Sequence, residues 1–179
     1  EREAVAHLIW RLPLRITPWT LFLMAQGGPD HPIRRMMVPT PEELVTWPEE
    51  KSDSLHEEAS SQVPGLVHRY PDRVLFLVTQ TCSAYCRYCT RSHSVGRLTH
   101  APRFQWERAI EYIASHPEIR DVLISGGDPL TLSNAQLEFL LSQLRAIPHV
   151  EIIRIGTKVP VVLPQRITPE LTAMLERYH

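Results

Sequence analysis

The chain has two textures. Over roughly the first 70 residues, short apolar patches at 8–10 and 21–24 alternate with turn material such as Gly27-Gly28-Pro29-Asp30 and Pro39-Thr40-Pro41. Thr17-Pro18 puts a capping hydroxyl before a proline suited to a first helical position, which predicts a short helix there. Residues 49–61 are polar and acidic and read as a surface connection. From Val74 onward the pattern becomes regular. Residues 74–79 (VLFLVT) are continuously apolar, as in a strand buried on both faces of a parallel sheet. Trp106, Ala109, Ile110 and Ile113 follow at helical spacing, with Pro117 placed to stop that helix. Residues 122–125 form a second apolar strand ended by Gly126-Gly127. Ser133 and Gln136 make a capping box ahead of the stripe Leu137, Leu140, Leu141 and Leu144. A third strand is expected at 150–155, and Thr168-Pro169 then caps a helix carrying Leu171, Met174, Leu175 and Tyr178.

The order β-α-β-α-β-α implies an α/β fold with a parallel sheet and right-handed crossovers. A closed eight-unit barrel takes about 250 residues, so three βα units make less than half of one. The chain begins at Glu1 and ends at His179, where a fourth strand is due. The expectation is therefore a fragment. Residues 71–179 read as the first half of a (βα) barrel, and residues 1–70 as an irregular, partly helical N-terminal extension packing on it.

Composition narrows the function classes. With 43% apolar residues, 22% charged residues and a formal charge of −1, the chain reads as an ordinary globular protein with no basic excess to attract nucleic acid. It has no apolar run of the ~18 residues that a membrane span needs, and its first residues lack a signal-peptide pattern. The three cysteines all fall within eight residues. An odd, clustered set is a poor disulfide framework and a good metal-ligand group, and it points to a reducing cytoplasm.

These cysteines are Cys82, Cys86 and Cys89, in a loop directly after the first buried strand. Ligands there sit at the carboxyl end of a parallel strand, where α/β folds carry their chemistry. Three thiolates can each hold one iron of a cubane and leave the fourth iron open; a ferredoxin-type site would need a fourth cysteine. A zinc site that adds His93 is the alternative metal reading. Arg87 and Arg91 are expected to keep the loop polar and to favour thiolate. Ser125, Gly126, Gly127 and Asp128 form a tight turn at the end of the second strand, where glycine permits close backbone approach. Arg154 interrupts an apolar strand out of phase with Ile153 and Ile155, which places it on a polar barrel interior. Its role there is either structural pairing or an anion contact. Lys158 and Gln165 follow on the side where a site would form; solvation is the expectation for Lys158.

The spacing CxxxCxxC, with Tyr88 just before the third cysteine, resembles the radical S-adenosylmethionine (SAM) superfamily. That resemblance implies a [4Fe–4S] cluster on Cys82, Cys86 and Cys89, with SAM chelated by the open iron and cleaved to a 5′-deoxyadenosyl radical. It implies SAM contacts from Tyr88, Ser125, Gly126, Gly127, Asp128 and Gln165. Longer segments resemble lysine 2,3-aminomutase and its relatives: residues 14–24, 31–40, Leu55-His56-Glu57, 63–74, Thr90-Arg91, 121–130 and 153–168. This family uses pyridoxal phosphate (PLP) beside SAM to move an α-amino group to the β-carbon. The likeness implies that Arg91 pairs with the substrate α-carboxylate, a task suited to a bidentate guanidinium. It also implies that Arg69, Tyr70 and Arg73 approach PLP. A small-molecule amino acid substrate, a reductant such as flavodoxin or ferredoxin, and a homo-oligomeric full-length protein follow as expectations. The family's PLP lysine and its side-chain-selecting acids match no residue here. Ser92-His93-Ser94 departs from the more basic stretch of the lysine enzymes, and a glutamate or a protein lysine is the alternative substrate.

Overall fold

The computed structural model describes residues 6–8, 12–96 and 101–179; Ile9 and Trp10 of the first apolar patch lie outside them. Five strands form one sheet in sequence order. They are β1 (Ser61–Val63), β2 (Leu66–Tyr70), β3 (Arg73–Thr79), β4 (Asp121–Gly126) and β5 (Ile152–Ile155). The first three pair antiparallel as successive hairpins, and β3, β4 and β5 run parallel. The β1–β2 hairpin falls in the stretch read as irregular. It turns at Pro64-Gly65, where Gly65 takes φ +81°, and β2 pairs Leu66 with Phe76 and Val67 with Leu75.

The parallel part follows the expected order. Helix α3 (Arg103–Ala114) links β3 to β4, α4 (Asn134–Arg145) links β4 to β5, and α6 (Pro169–Glu176) follows the short α5 (Val159–Val162). Upstream lie α1 (Pro18–Ala25) and α2 (Pro32–Met37). The capping signals act as read. The Ser133 hydroxyl accepts from the Gln136 N–H while the Gln136 side chain takes the Ser133 N–H. Thr168 and Thr17 cap α6 and α1 with the hydroxyl alone, accepting from the Leu171 and Thr20 N–H groups. Strand β5 starts at Ile152 rather than 150, because Val150 closes a turn onto the Ile147 carbonyl.

Alternation along β3 sets the core. Val74, Phe76 and Val78 are buried, and they pack with Trp106, Ala109 and Ile113 of α3 and with Leu137, Leu140 and Leu144 of α4. Trp106 also donates its indole N–H to the Val78 carbonyl at 3.0 Å. Leu75 and Leu77, on the other face, are only partly buried. The strand is therefore not sealed on both faces as its unbroken apolar run implied, because among the described residues no layer of helices covers that second face. Leu75, Leu123 and Arg154 stand side by side on it. A second apolar cluster packs Met24 and Met37 of the N-terminal helices against Ala84 and Val162. Among the described residues no helix is long and apolar enough to cross a membrane.

Candidate cofactor and substrate site

The cysteine loop leaves the carboxyl end of β3 and is pinned from outside. The Tyr85 N–H donates to the Arg15 carbonyl and the Arg87 N–H to that of Met36, both at 2.9 Å. The Arg87 guanidinium grips Glu43 and donates to the Leu12 carbonyl at 2.9 Å. Arg87 is thus an anchor pointing toward the N-terminal segment, not the thiol-activating charge that the sequence led us to expect. Burial pushes the Cys82 thiol from the usual 9.0 up to about 12, with the Asp128 charge adding to the effect. Burial raises Cys89 too. Without a metal these thiols keep their protons, and ligation would release them.

All three thiols are free and line one cavity of about 210 Å³ with Arg91, Gly126, Gly127, Asp128, Thr157 and Lys158. His93 lines a different depression, with Trp47 and Lys51. Among the described residues no three His, Cys, Asp or Glu side chains converge closely enough to hold a single ion.

The Gly-Gly-Asp turn closes the cavity from the end of β4. The Gly127 N–H donates to the Thr79 carbonyl at 2.6 Å and the Asp128 N–H to that of Thr81 at 2.8 Å. A Cβ on Gly126, where φ is +130°, would lie 2.2 Å from the Thr79 oxygen, and one on Gly127 would lie 2.4 Å from the Thr81 oxygen. Both glycines are therefore required by the approach of the β3 end. The Asp128 carboxylate accepts from the Leu130 N–H, the Thr157 hydroxyl and the Lys158 and Val159 N–H groups. Its side chain is fully engaged, and what the turn offers a ligand is backbone. Ser125 is buried beside Gly156.

Lys158 is not the solvated lysine expected from sequence. Asp128 caps its backbone, which turns its ammonium into the cavity, 3.2 Å from the Cys86 sulfur and bonded to the Tyr88 hydroxyl. It also lies 4.7 Å from the Tyr88 ring centroid, a cation–π contact. Burial pulls the Lys158 pKa down, but its bonds to Tyr88 and Cys86 outweigh this and the net direction is up. Tyr88 itself is largely exposed. Gln165 is exposed and does not line the cavity.

A second cavity of about 250 Å³ gathers Arg69, Tyr70, Arg73, Arg91 and Arg154 with Leu55, Glu57 and Leu123. Three of its four guanidiniums hold a carboxylate: Arg73 with Asp72, Arg91 with Glu57 and Arg154 with Asp121. Arg154 thus faces the open side, as its phase in β5 predicted, and it pairs there. Arg69 instead donates to the Leu55 carbonyl at 3.0 Å. Arg91 lines both cavities and joins them. Sequence reasoning assigned no role to Glu57 or Asp121. Asp121, just ahead of an apolar strand, was open to pairing with the out-of-phase Arg154; nothing local linked Glu57 to Arg91.

The fold and this geometry define a βα-type protein whose strand ends present a three-thiol loop beside a glycine turn. The family model described as the radical SAM superfamily matches residues 76–179, more than half of the chain, and the chain belongs to that superfamily. Over its whole length it is 50% identical to an L-lysine 2,3-aminomutase of Clostridium subterminale and 51% identical to one of Bacillus subtilis, covering 43% and 38% of those proteins. It is 39% identical to a glutamate 2,3-aminomutase of Clostridioides difficile and covers 42% of it. The chain thus spans less than half the length of these relatives.

Proposed function

We propose that this chain forms the cluster-, SAM- and carboxylate-binding part of a PLP-dependent amino acid 2,3-aminomutase. The observation that carries the reading is the junction at Arg91, where a cavity lined by three thiols and a Gly-Gly-Asp turn meets one lined by arginines. Cys82, Cys86 and Cys89 hold a [4Fe–4S] cluster. Three thiolates from one loop bind three of the four irons and leave one for the amino and carboxylate groups of SAM. A cubane spreads its irons over several ångströms, so thiols that share a cavity without converging on one point suit it better than they suit a lone zinc. His93, the fourth ligand of the zinc alternative, lies in another depression.

When bound, the cluster and SAM would supply one-electron chemistry and PLP would supply the π system through which the amino group migrates. The protein's own groups bind and orient. Backbone carbonyls of the Gly126-Gly127 turn would take the SAM amino group, with Ser125 and Asp128 shaping the turn and Tyr88 beside the adenine. Arg91 takes the substrate α-carboxylate. Arg69, the guanidinium of its cavity with no carboxylate partner among the described residues, has the most charge to offer the PLP phosphate, with Arg73 and the exposed Tyr70 ring next to it.

Lysine is the first substrate to test, because the relatives of about 50% identity are lysine 2,3-aminomutases. Glutamate comes second, on the strength of the Clostridioides difficile relative. A lysine within a protein is a third arm. We further propose a cytoplasmic setting, a flavodoxin or ferredoxin reductant and a homo-oligomeric full-length protein. Anaerobic reconstitution with iron and sulfide should give a brown protein whose reduced-state electron paramagnetic resonance (EPR) signal changes on adding SAM. A colourless protein carrying stoichiometric zinc would overturn the cluster. A brown protein converting neither lysine, glutamate nor protein-bound lysine would overturn the aminomutase.

A further inference from the structure

Residues 53–58 strap the arginine cavity. The Asp53 carboxylate accepts from the backbone N–H of Glu57 at 3.1 Å and of Glu58 at 3.0 Å, which closes a tight turn. Within it His56 takes φ +52°, the one positive φ of a non-glycine residue among those described. On either side of His56 the strap reaches an arginine: the Leu55 carbonyl takes Arg69, and the Glu57 carboxylate takes Arg91. The second contact is bidentate, with 2.7 Å from Nε to Oε2 and 2.6 Å from Nη2 to Oε1. Its side chains are 20% and 14% exposed, so solvent competes little for the pair.

A guanidinium offers two edges to a carboxylate, one through Nε and Nη2 and one through Nη1 and Nη2. Glu57 occupies the first, and no group among the described residues takes the second. We infer that Glu57 is the positioning residue of Arg91, fixing the guanidinium so that its remaining edge meets the substrate carboxylate. This rests on the reading of Arg91 given above. An arginine is long and rotamer-rich, and the entropy of fixing it falls on each binding event unless the fold has already fixed it. Glu57 cannot swing away easily, since its own N–H is tied to Asp53 and its neighbour is held in a left-handed turn. As a negative charge, Glu57 also weakens the pull of Arg91 on a second carboxylate. Its loss therefore disturbs orientation far more than affinity, and the cost falls on the turnover step, which needs the β-carbon in place.

Steady-state kinetics in the full-length protein test this. Glu57→Ala should lower kcat roughly 100-fold, the scale of a misplacement by about 1 Å, while KM moves less than tenfold. Glu57→Gln keeps the shape and one acceptor oxygen and should recover at least about tenfold of that loss. A group that transfers a proton would lose activity equally in both variants, which would overturn the positioning role. So would a Glu57→Ala protein that turns over at the normal rate, or one whose main change is tighter substrate binding, the mark of a competitor for Arg91. Circular dichroism checks folding; if the Ala variant unfolds, Gln alone decides, with near-normal kcat supporting the role and a ~100-fold loss sinking it. Arg91→Met separates this inference from its parent. A large rise in KM there, with Glu57→Ala silent, sinks only the inference. An unchanged KM there removes the carboxylate seat and the inference with it.

Discussion

The two faces of the same sheet are built from alternate residues of the same strands, yet they share almost no chemistry. On the helix-covered face Val74, Phe76 and Val78 meet Trp106, Ala109 and Ile113 in a dry, close-packed layer. One residue along, the other face carries Leu75, Leu123 and Arg154 at one level, with paired guanidiniums around them and the thiol cavity at the strand ends. Stability is concentrated on the first face, where apolar area leaves water. The second face is free to be polar because the first already holds the strands in register. A fold arranged this way tolerates loss of its chemistry far better than loss of its core.

Two experiments with large expected effects would break that division if it is wrong. Replacing Cys82, Cys86 or Cys89 with alanine should abolish cluster assembly, read by visible absorbance after reconstitution, while the far-ultraviolet circular dichroism of the metal-free protein stays unchanged. In the core, Phe76→Ala should cost about 3–5 kcal/mol by denaturant melts, the range for deleting a buried aromatic ring. Leu75→Ala, its neighbour on the open face, should cost about 1 kcal/mol, since much less area is lost from contact. Equal costs for the two would mean that the open face is sealed after all.

Much of the covered face was legible in sequence, because burial there is written as local pattern. The apolar runs of β3, β4 and β5 and the Ser133–Gln136 box needed no tertiary information. The β1–β2 hairpin was missed because its residues alternate weakly, include Pro64 and carry His68 and Arg69, so its pairing with β3 left no periodic trace. Most of the open face was illegible for a different reason. Its contacts join residues far apart in the chain, such as Glu57 with Arg91 and Arg154 with Asp121. Lys158 looked solvated until the return of β5 beside β4 let Asp128 cap its backbone and turn its ammonium inward. The cysteine loop and the glycine turn were readable through resemblance. The sign of the thiol shifts was not, because it depends on burial and on the distant Asp128.

A smaller effect comes from the Arg154–Asp121 pair. Asp121 is buried, whereas the Arg154 side chain is 49% exposed, so water screens part of the attraction. Arg154→Met should cost about 1–2 kcal/mol, below the 3–5 kcal/mol expected for a fully buried pair that loses one partner. Thermal melts would measure it. A cost as large as that of Phe76→Ala would show that ionic contacts on the open face carry stability comparable to the core.

The smallest effect is local and depends on pH. The Asp53 carboxyl sits below its ordinary value of 3.8, first because it accepts the Glu58 N–H and then because it accepts that of Glu57, with slight burial opposing and nearby His93 and His56 helping. A carboxyl whose pKa is lower folded than unfolded contributes its stability above the unfolded value and loses it as pH falls through the folded one. The strap should therefore hold at neutral pH and loosen only below about pH 4, where Asp53 begins to take up protons. Hydrogen exchange at the Glu57 and Glu58 amides, corrected for intrinsic rates, should lose protection in that window before β3 and β4 do. In an Asp53→Asn variant the same two amides should already be less protected at neutral pH and should show no further step on acidification. A strap whose protection follows global unfolding at every pH would belong to the core face energetically, despite lying over the other one.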